Sequence, residues 1–313
     1  MTEQAHIPVL LDEALAALIV VEGGSYVDCN FGRGGHSAKI RELAGATGSL
    51  IAFDKDPEAV AVAREQFKTG GKAEIAHRSF AELGDELEGR GLNGQMDGVL
   101  FDLGVSSPQL DEAERGFSFM KDGPLDMRMN PEAGESAAEW LHRAPEKEIA
   151  DVLYKFGDER YRGRVARHIV EARAQVRLTS TTQLAKIIDI AVPTKERNKH
   201  TATRSFQAIR IFINRELQDL DEALSQAVNA LKPGGRLVVI SFHSAEDRIV
   251  KRFMRDASRS QAAGFGTLEF QPARLRLVSK PVHPSEEEVA RNPRSRSSVM
   301  RVAERLAADG SQK

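Results

Sequence analysis

Residues 26–37, reading Y-V-D-C-N-F-G-R-G-G-H-S, limit what this chain can fold into more than any other stretch. Tyr26, Val27 and Cys29 form a short apolar run with strand character. Gly32, Gly34 and Gly35 break it, and the helix-compatible run 37–43 follows at once. A strand, a glycine turn and a helix in that order make a nucleotide-type ligand loop, because glycine lets the backbone approach the ligand and the helix N-terminus offers free N–H groups. Asp54 ends the next apolar strand, 49–53, twenty positions after Gly34. An acid at that distance can accept hydrogen bonds from both ribose hydroxyls of an adenosine.

The spacing G-x-G-G is not the G-x-G-x-x-G of dinucleotide enzymes, and a plain tight turn in an α/β sheet would also use glycines. Asp54 argues for the ligand loop. Asp28, at the head of the loop, favours S-adenosylmethionine, since a carboxylate there repels a pyrophosphate and suits the cationic amino end of that cofactor.

With 313 residues the chain has room for two domains, or for one domain carrying a large insertion. A formal charge of −2 means that the overall field does not draw the molecule to nucleic acid, so any such partner must be met by local basic patches. The single cysteine, Cys29, excludes an internal disulfide and a multi-cysteine zinc site, and fits a reducing cytoplasm. No metal is expected. The N-terminal residues lack a basic segment followed by an apolar one, and no run approaches the roughly twenty apolar residues that span a bilayer. A cytoplasmic, membrane-free protein is the expectation.

Taken in order, residues 9–19 carry apolar positions at helical spacing, 59–67 read as a helix behind Pro57, and 73–76 and 96–105 read as a third and a fourth strand. Alternation of this kind predicts a doubly wound, Rossmann-like parallel sheet with ligands at the carboxyl ends of its strands, where Asp102 lies. The alternation then stops. From 106 to 212 there is no convincing strand, and helices are expected over 135–142, 145–156, 160–174 and from Ser180, whose Gln183 completes a capping box. A long helix ending near Leu231, a turn at 232–235, a strand at 236–242 and a helix at 245–257 resume the pattern. A loop at 260–267, strands at 275–279 and 298–303 and a short helix begun by Ser285 complete it, with 308–313 expected to fray. The predicted organisation is a nucleotide-type domain, 1–108 with 213–313, interrupted by a helical insertion, 109–212, that recognises the substrate.

Several long motifs resemble one family: G-R-G-G-H-S at 32–37, D-L-G-V-S-S-P-Q at 102–109, E-R-G-F-S-F-M-K-D-G-P-L-D-M-R-M at 114–129 and T-R-S-F-Q-A-I-R-I at 203–211. S-F-H-S-A-E-D-R-I-V-K at 241–251 and N-P-R-S-R-S-S-V-M-R-V-A-E-R at 292–305 extend the match nearly end to end. The chain resembles the ribosomal RNA small-subunit methyltransferase H family. That resemblance implies a class I methyltransferase that uses S-adenosyl-L-methionine to methylate N4 of a cytosine in the decoding region of 16S rRNA. Carried over by position, the family's cofactor contacts fall on Gly34, Gly35, His36, Asp54, Phe80, Asp102 and Gln109. The glycines, Asp54 and Asp102 are reached from the residues alone; His36 and Gln109 rest on the resemblance. Phe80 reads equally as a lid on adenine or as a core aromatic, and His243 is placed near the site without a role. Asn30, Thr201 and Ala245 depart from the family's usual Thr, Pro and Leu.

The amino group on C4 of cytosine is conjugated into the ring and is a poor nucleophile, so an enzyme must accept its N–H hydrogens and align it with the methyl–sulfonium bond. Amino-methylating enzymes of this fold place an Asp/Asn-Pro-Pro-aromatic tetrad after strand four; here Asp102, Leu103, Gly104 and Val105 stand there, without the aromatic. Asp102 is the candidate catalytic residue, either accepting the amino hydrogens or only holding the cofactor. Methylation of the ring carbon needs a cysteine nucleophile, and Cys29 on strand one reads as a packing residue. An NAD-dependent oxidoreductase and a non-catalytic RNA-binding module are the alternatives from other classes. For an RNA partner the basic runs are Lys155, Arg160, Arg162, Arg164, Arg167, Arg173 and Arg177, followed by Lys195, Arg197, Lys199 and Arg204. Docking of 16S rRNA within the assembled 30S subunit is expected, and the chain leaves open whether it acts as a homodimer.

Overall fold

The computed structural model describes residues 8–194, 200–262 and 270–307. Its contacts divide the chain into two compact units, Met1–Gly104 with Leu217–Lys313, and Val105–Glu216. The junctions fall at 104 and 216, where the sequence suggests 108 and 212.

The first unit begins with α1 (Leu11–Leu18), β1 (Ser25–Asp28), α2 (Gly35–Ala44), β2 (Ser49–Asp54), α3 (Pro57–Gln66), β3 (Lys72–His77), α4 (Leu83–Gly89) and β4 (Met96–Asp102). The helix starts carry their own signals. Asp56 accepts the Glu58 N–H at 3.0 Å, and Pro57 fills the first turn of α3, where a missing N–H costs nothing. The four strands are parallel, with Val27 opposite both Ile51 and Val99. Their apolar residues divide by parity. Val27, Val99 and Phe101 pack into one cluster, while Tyr26, Leu50 and Leu100 pack with α1 and α2 into another, so both faces of the sheet are covered.

In the second unit α5 (Ser107–Asp111), α6 (Ala137–Arg143), α7 (Glu146–Gly157), α8 (Arg162–Gln175), α9 (Thr181–Ala191) and α10 (Thr203–Ile213) are joined by loops. Among the described residues it has no strand, only an isolated bridge between Pro124 and Ser180. Ser136 with Glu139 and Ser180 with Gln183 close the capping boxes of α6 and α9. Trp140 is fully buried, its indole N–H donating to Glu148 at 2.7 Å. Lys195, Arg197 and Lys199 lie outside the described residues.

The sheet resumes after α11 (Glu216–Ala230) with β5 (Leu231–Ser241) and α12 (Ser244–Ala257); β6 (Gln261–Ala262), β7 (Phe270–Gln271), β8 (Leu275–Leu277), α13 (Glu286–Arg291) and β9 (Val299–Arg305) follow. Its order is β3-β2-β1-β4-β5-β9-β8. Three expectations change. The turn at 232–235 is a bulge inside β5, because Leu231 already pairs with Met96 and Arg236 returns opposite Gly98. Gly234, at φ 83°, supplies the left-handed residue that the bulge requires. The sheet is parallel through β5 only, since β9 runs antiparallel to β5 and β8 antiparallel to β9. Of the loop expected at 260–267, Gln261 and Ala262 form β6, paired antiparallel with β7, and 263–267 lie outside the described residues; the fraying expected at 308–313 also falls outside them. No helix among the described residues is long and apolar enough to cross a membrane.

Candidate active site

The glycines of the loop serve two different purposes. Gly34 is the left-handed N-cap of α2 at φ 78°, and a Cβ there would come within 2.5 Å of the Phe31 ring. At Gly35 a Cβ would strike the Pro8 ring. Both are required by the chain's own packing. Gly32, at φ 58°, has nothing within 4 Å of its missing Cβ, so it is the position where the loop backbone opens onto free space.

Asp54, the last residue of β2, ties the loop down. Its Oδ2 accepts the Gly32 N–H at 2.8 Å and its Oδ1 accepts the Asp56 N–H at 2.9 Å. Burial pushes its pKa up to about 7 despite those two hydrogen bonds, with Asp56 and Asp28 adding repulsion. Each oxygen keeps a second lone pair for a ligand hydroxyl. Asp28, the last residue of β1, is buried and faces inward. Its Oδ2 accepts from Ser37 Oγ at 2.6 Å and its Oδ1 from the Asn30 N–H at 3.2 Å, and burial lifts its pKa to about 6. The carboxylate read from the sequence as facing a cationic ligand is thus engaged within the loop.

Asp102 ends β4, next to β1 in the sheet. Asn30 donates from Nδ2 to the Asp102 carbonyl at 2.6 Å, which joins loop and strand end and gives this departure from the family pattern a definite task. His36, in the first turn of α2, places Nδ1 3.3 Å from Asp102 Oδ2. Burial disfavours a charged imidazole, but the Asp102 carboxylate outweighs it, with help from Asp28 and the Val9 carbonyl, and the His36 pKa is raised above its ordinary value. The other carboxylate oxygen, Asp102 Oδ1, is buried and has no hydrogen-bond partner among the described residues. A buried acceptor left unpaired costs roughly 1–3 kcal/mol, so Oδ1 is a position at which a ligand's donor would be favourable.

Phe80 opens a 3₁₀ turn (Phe80–Glu82) after β3, and its partly buried ring packs edge-on against Phe101 with centroids 5.5 Å apart. Gly34, Gly35, His36, Asp54, Phe80 and Asp102 all belong to the first unit. Gln109 belongs to the second, where its side chain accepts the Ser106 N–H at 3.0 Å in the capping box of α5.

Sequence reasoning missed two features. One is Gly32, visible in the loop but read only as a strand breaker. The other is the reciprocal cap at the end of β5: His243 Nδ1 accepts the Glu246 N–H at 3.4 Å, while Glu246 accepts the Phe242 and His243 N–H groups at 2.8 and 3.2 Å. The three-residue spacing from cap to acid was the available signal, hidden because His replaces the usual Ser or Thr. Cys29 is buried in the core with its thiol pushed well up by burial, as a packing residue would be.

A family model described as the MraW methylase family matches residues 3–306. The chain belongs to the MraW methylase family. It is 52% identical over 310 residues to the ribosomal RNA small subunit methyltransferase H of Alteromonas mediterranea, covering 97% of this chain and 98% of that protein. The protein of the same name from Thioalkalivibrio sulfidiphilus is 55% identical over 307 residues, at 97% and 98% coverage. That of Hydrogenovibrio crunogenus is 53% identical over 304 residues, at 96% of each. Membership in the MraW methylases sets aside the oxidoreductase alternative. The residues also fit the methyl donor expected for such an enzyme: an open glycine at 32, a carboxylate on the second strand and an unpaired acceptor at the end of the fourth.

Proposed function

We propose that this chain transfers a methyl group from S-adenosyl-L-methionine to the N4 amino group of a cytosine in the decoding region of 16S rRNA, within the 30S subunit and in the cytoplasm. The observation that carries the reading is the unpaired, buried Oδ1 of Asp102 at the carboxyl end of β4. The names of the relatives support the ribosomal substrate. When bound, the cofactor supplies an electrophilic methyl group on a sulfonium centre.

The chain's own residues divide the remaining work. Asp54 accepts the ribose hydroxyls, and the loop at Gly32 lets the backbone approach. Asp102 Oδ1 would accept an N4 hydrogen of cytosine, so that charge building on the nitrogen is stabilised as the N–C bond forms and the methyl–sulfonium bond breaks, its electron pair staying on sulfur, and the displaced proton leaves toward that oxygen. His36 Nδ1, 3.3 Å from Oδ2, holds the carboxylate aimed. Alignment of the amine in near-attack geometry contributes roughly 7–11 kcal/mol.

The helical unit is the proposed recognition domain. Arg173 donates to the Ala144 carbonyl at 2.7 Å and to that of Leu141, and Arg162 lies 3.9 Å over the Tyr154 ring, so these two serve the unit itself. Arg160, Arg164, Arg167 and Arg177 are exposed and make no ion pair among the described residues, which suits phosphate binding. The test is methylation of 30S subunits from cells lacking the protein, followed by nuclease digestion and mass spectrometry. N4-methylcytidine is the expected product; 5-methylcytidine, or no methylated cytidine, rejects the reading.

A further inference from the structure

The motif G-F-S-F-M-K-D-G, Gly116 to Gly123, lies wholly in the helical unit and has no part in the chemistry above. Its ends are fixed by backbone crowding. A Cβ on Gly116, at φ 74°, would stand 2.7 Å from the Asp126 nitrogen, and one on Gly123 would collide with the Ala113 carbonyl.

Between the ends, nearly every group is committed to the protein. Phe117 is buried, and Phe119 packs against His200 and Phe206 with centroids 4.6 and 4.9 Å away. Ser118 Oγ accepts the Met120 N–H at 3.2 Å. Thr181 Oγ1 donates to the Lys121 carbonyl and accepts the Gly123 N–H, each at 3.2 Å. Asp122 Oδ1 accepts from Thr182 Oγ1 at 2.6 Å and from its N–H at 3.2 Å, and these hydroxyl and backbone bonds hold the Asp122 carboxyl below its usual range. Two side chains remain outside this net. Met120 is 81% exposed, and Lys121 beside it is exposed with no ion pair among the described residues.

An exposed methionine on a mobile loop would be unremarkable. Here the loop is fastened to the start of α9 and the apolar side chain is displayed from a fixed tip, so little backbone entropy is left to lose when it docks. We infer that Met120 is a wedge that inserts into a base step of the RNA substrate, with Lys121 on the neighbouring phosphate. The inference rests on the proposed rRNA substrate. Methionine suits the task because its unbranched thioether adapts to an irregular gap, and apolar side chains of this kind unstack and kink base steps.

Cys29 is the only cysteine and is buried, so Met120→Cys creates one accessible thiol for a photo-crosslinker. Bound to 30S subunits and irradiated, the labelled protein should attach to 16S rRNA; attachment only to ribosomal protein, or none, overturns the wedge. In parallel, Met120→Ala should weaken subunit binding about five- to tenfold without changing the salt slope, and Met120→Leu should stay within about twofold of the parent, because an apolar wedge releases no counterions. Lys121→Ala should lower the slope by about one. Parental affinity in Met120→Ala, or equal losses in the Ala and Leu variants, overturns the proposal. A parent that binds the subunit but methylates a different base refutes the cytosine reading and leaves these outcomes fully readable; a parent that does not bind it refutes both.

Discussion

At the residue scale the site is governed by buried carboxylates whose ionisation a ligand can change. Asp54 has a folded pKa of about 7 against an unfolded value near 3.8, so between those limits the folded chain holds the proton more tightly. Its contribution therefore lowers stability as pH rises from about 4 to 7, and levels off above that. His36 acts in the same direction: its raised pKa stabilises the fold below about 6.5, and that stability is lost as pH climbs through the folded value. Ribose hydroxyls donate to the ionised form of Asp54, so cofactor affinity should improve up to about pH 7 and then flatten, with proton release on binding below it. Calorimetry in buffers of different ionisation enthalpy measures both. Asp54→Asn should bind more weakly by roughly 1.5–3 kcal/mol and lose the pH slope; a folded variant that keeps parental affinity and slope refutes the ribose assignment. Asp102→Asn keeps the shape and removes the charge. A fall in turnover of about 10²-fold at unchanged cofactor affinity assigns Asp102 to the chemical step, whereas weaker affinity with turnover recovered at saturating cofactor assigns it to holding the donor.

At the scale of elements, the strands and helices that carry the site were legible because local signals and burial agree. Pro57 ahead of the helix at 59–67, Ser180 with Gln183, and the apolar runs of β2 and β4 each read one way only. Apart from Gly32 and the local cap of His243 with Glu246, what escaped the sequence was long-range. The bulge at 232–235 exists because Leu231 finds Met96 on a neighbouring strand, and no local rule reports that pairing. The antiparallel return of β9 is likewise a matter of which edge was free. Within the site, Asp54 and Asp102 were readable from their places at strand ends. His36 was not, because its meaning depends on Asp102, 66 positions further along the chain, coming within 3.3 Å. The glycine loop offers a test at this scale. Gly34→Ala must push into Phe31 at a positive φ and should lower the melting temperature, by several degrees for a cost of a few kcal/mol. Gly32→Ala meets no neighbouring atom; relative to Gly34→Ala it should spend less stability and lose more cofactor affinity. A Gly34→Ala protein as stable as the parent would show that the loop relaxes and that packing does not dictate that glycine.

For the whole molecule, the governing fact is a formal charge of −2 on a protein proposed to work on a polyanion. Long-range attraction cannot supply the affinity, so binding would have to come from local groups of cations, those displayed by the helical unit among them, and from shape. Arg160, Arg164 and Arg167 meet that requirement, being exposed and without ion pairs among the described residues, on a unit whose interior is closed by Trp140, Phe156 and Phe206. Reversing the three together, Arg160→Glu, Arg164→Glu and Arg167→Glu, touches no buried group and should leave melting and cofactor affinity near parental values. Subunit binding should weaken strongly at low salt. Its log–log dependence on salt should flatten by roughly 2–3, about 0.7–0.9 for each phosphate that is no longer neutralised, so that parent and variant converge as salt rises. Turnover at saturating subunits should change little, because these residues dock the RNA and do not touch the reacting amine. A triple variant that binds 30S subunits, and methylates them at sub-saturating concentration, as the parent does across the whole salt series would mean that this basic face, Arg160 and the start of α8, is only a solvated surface and that the substrate is held elsewhere.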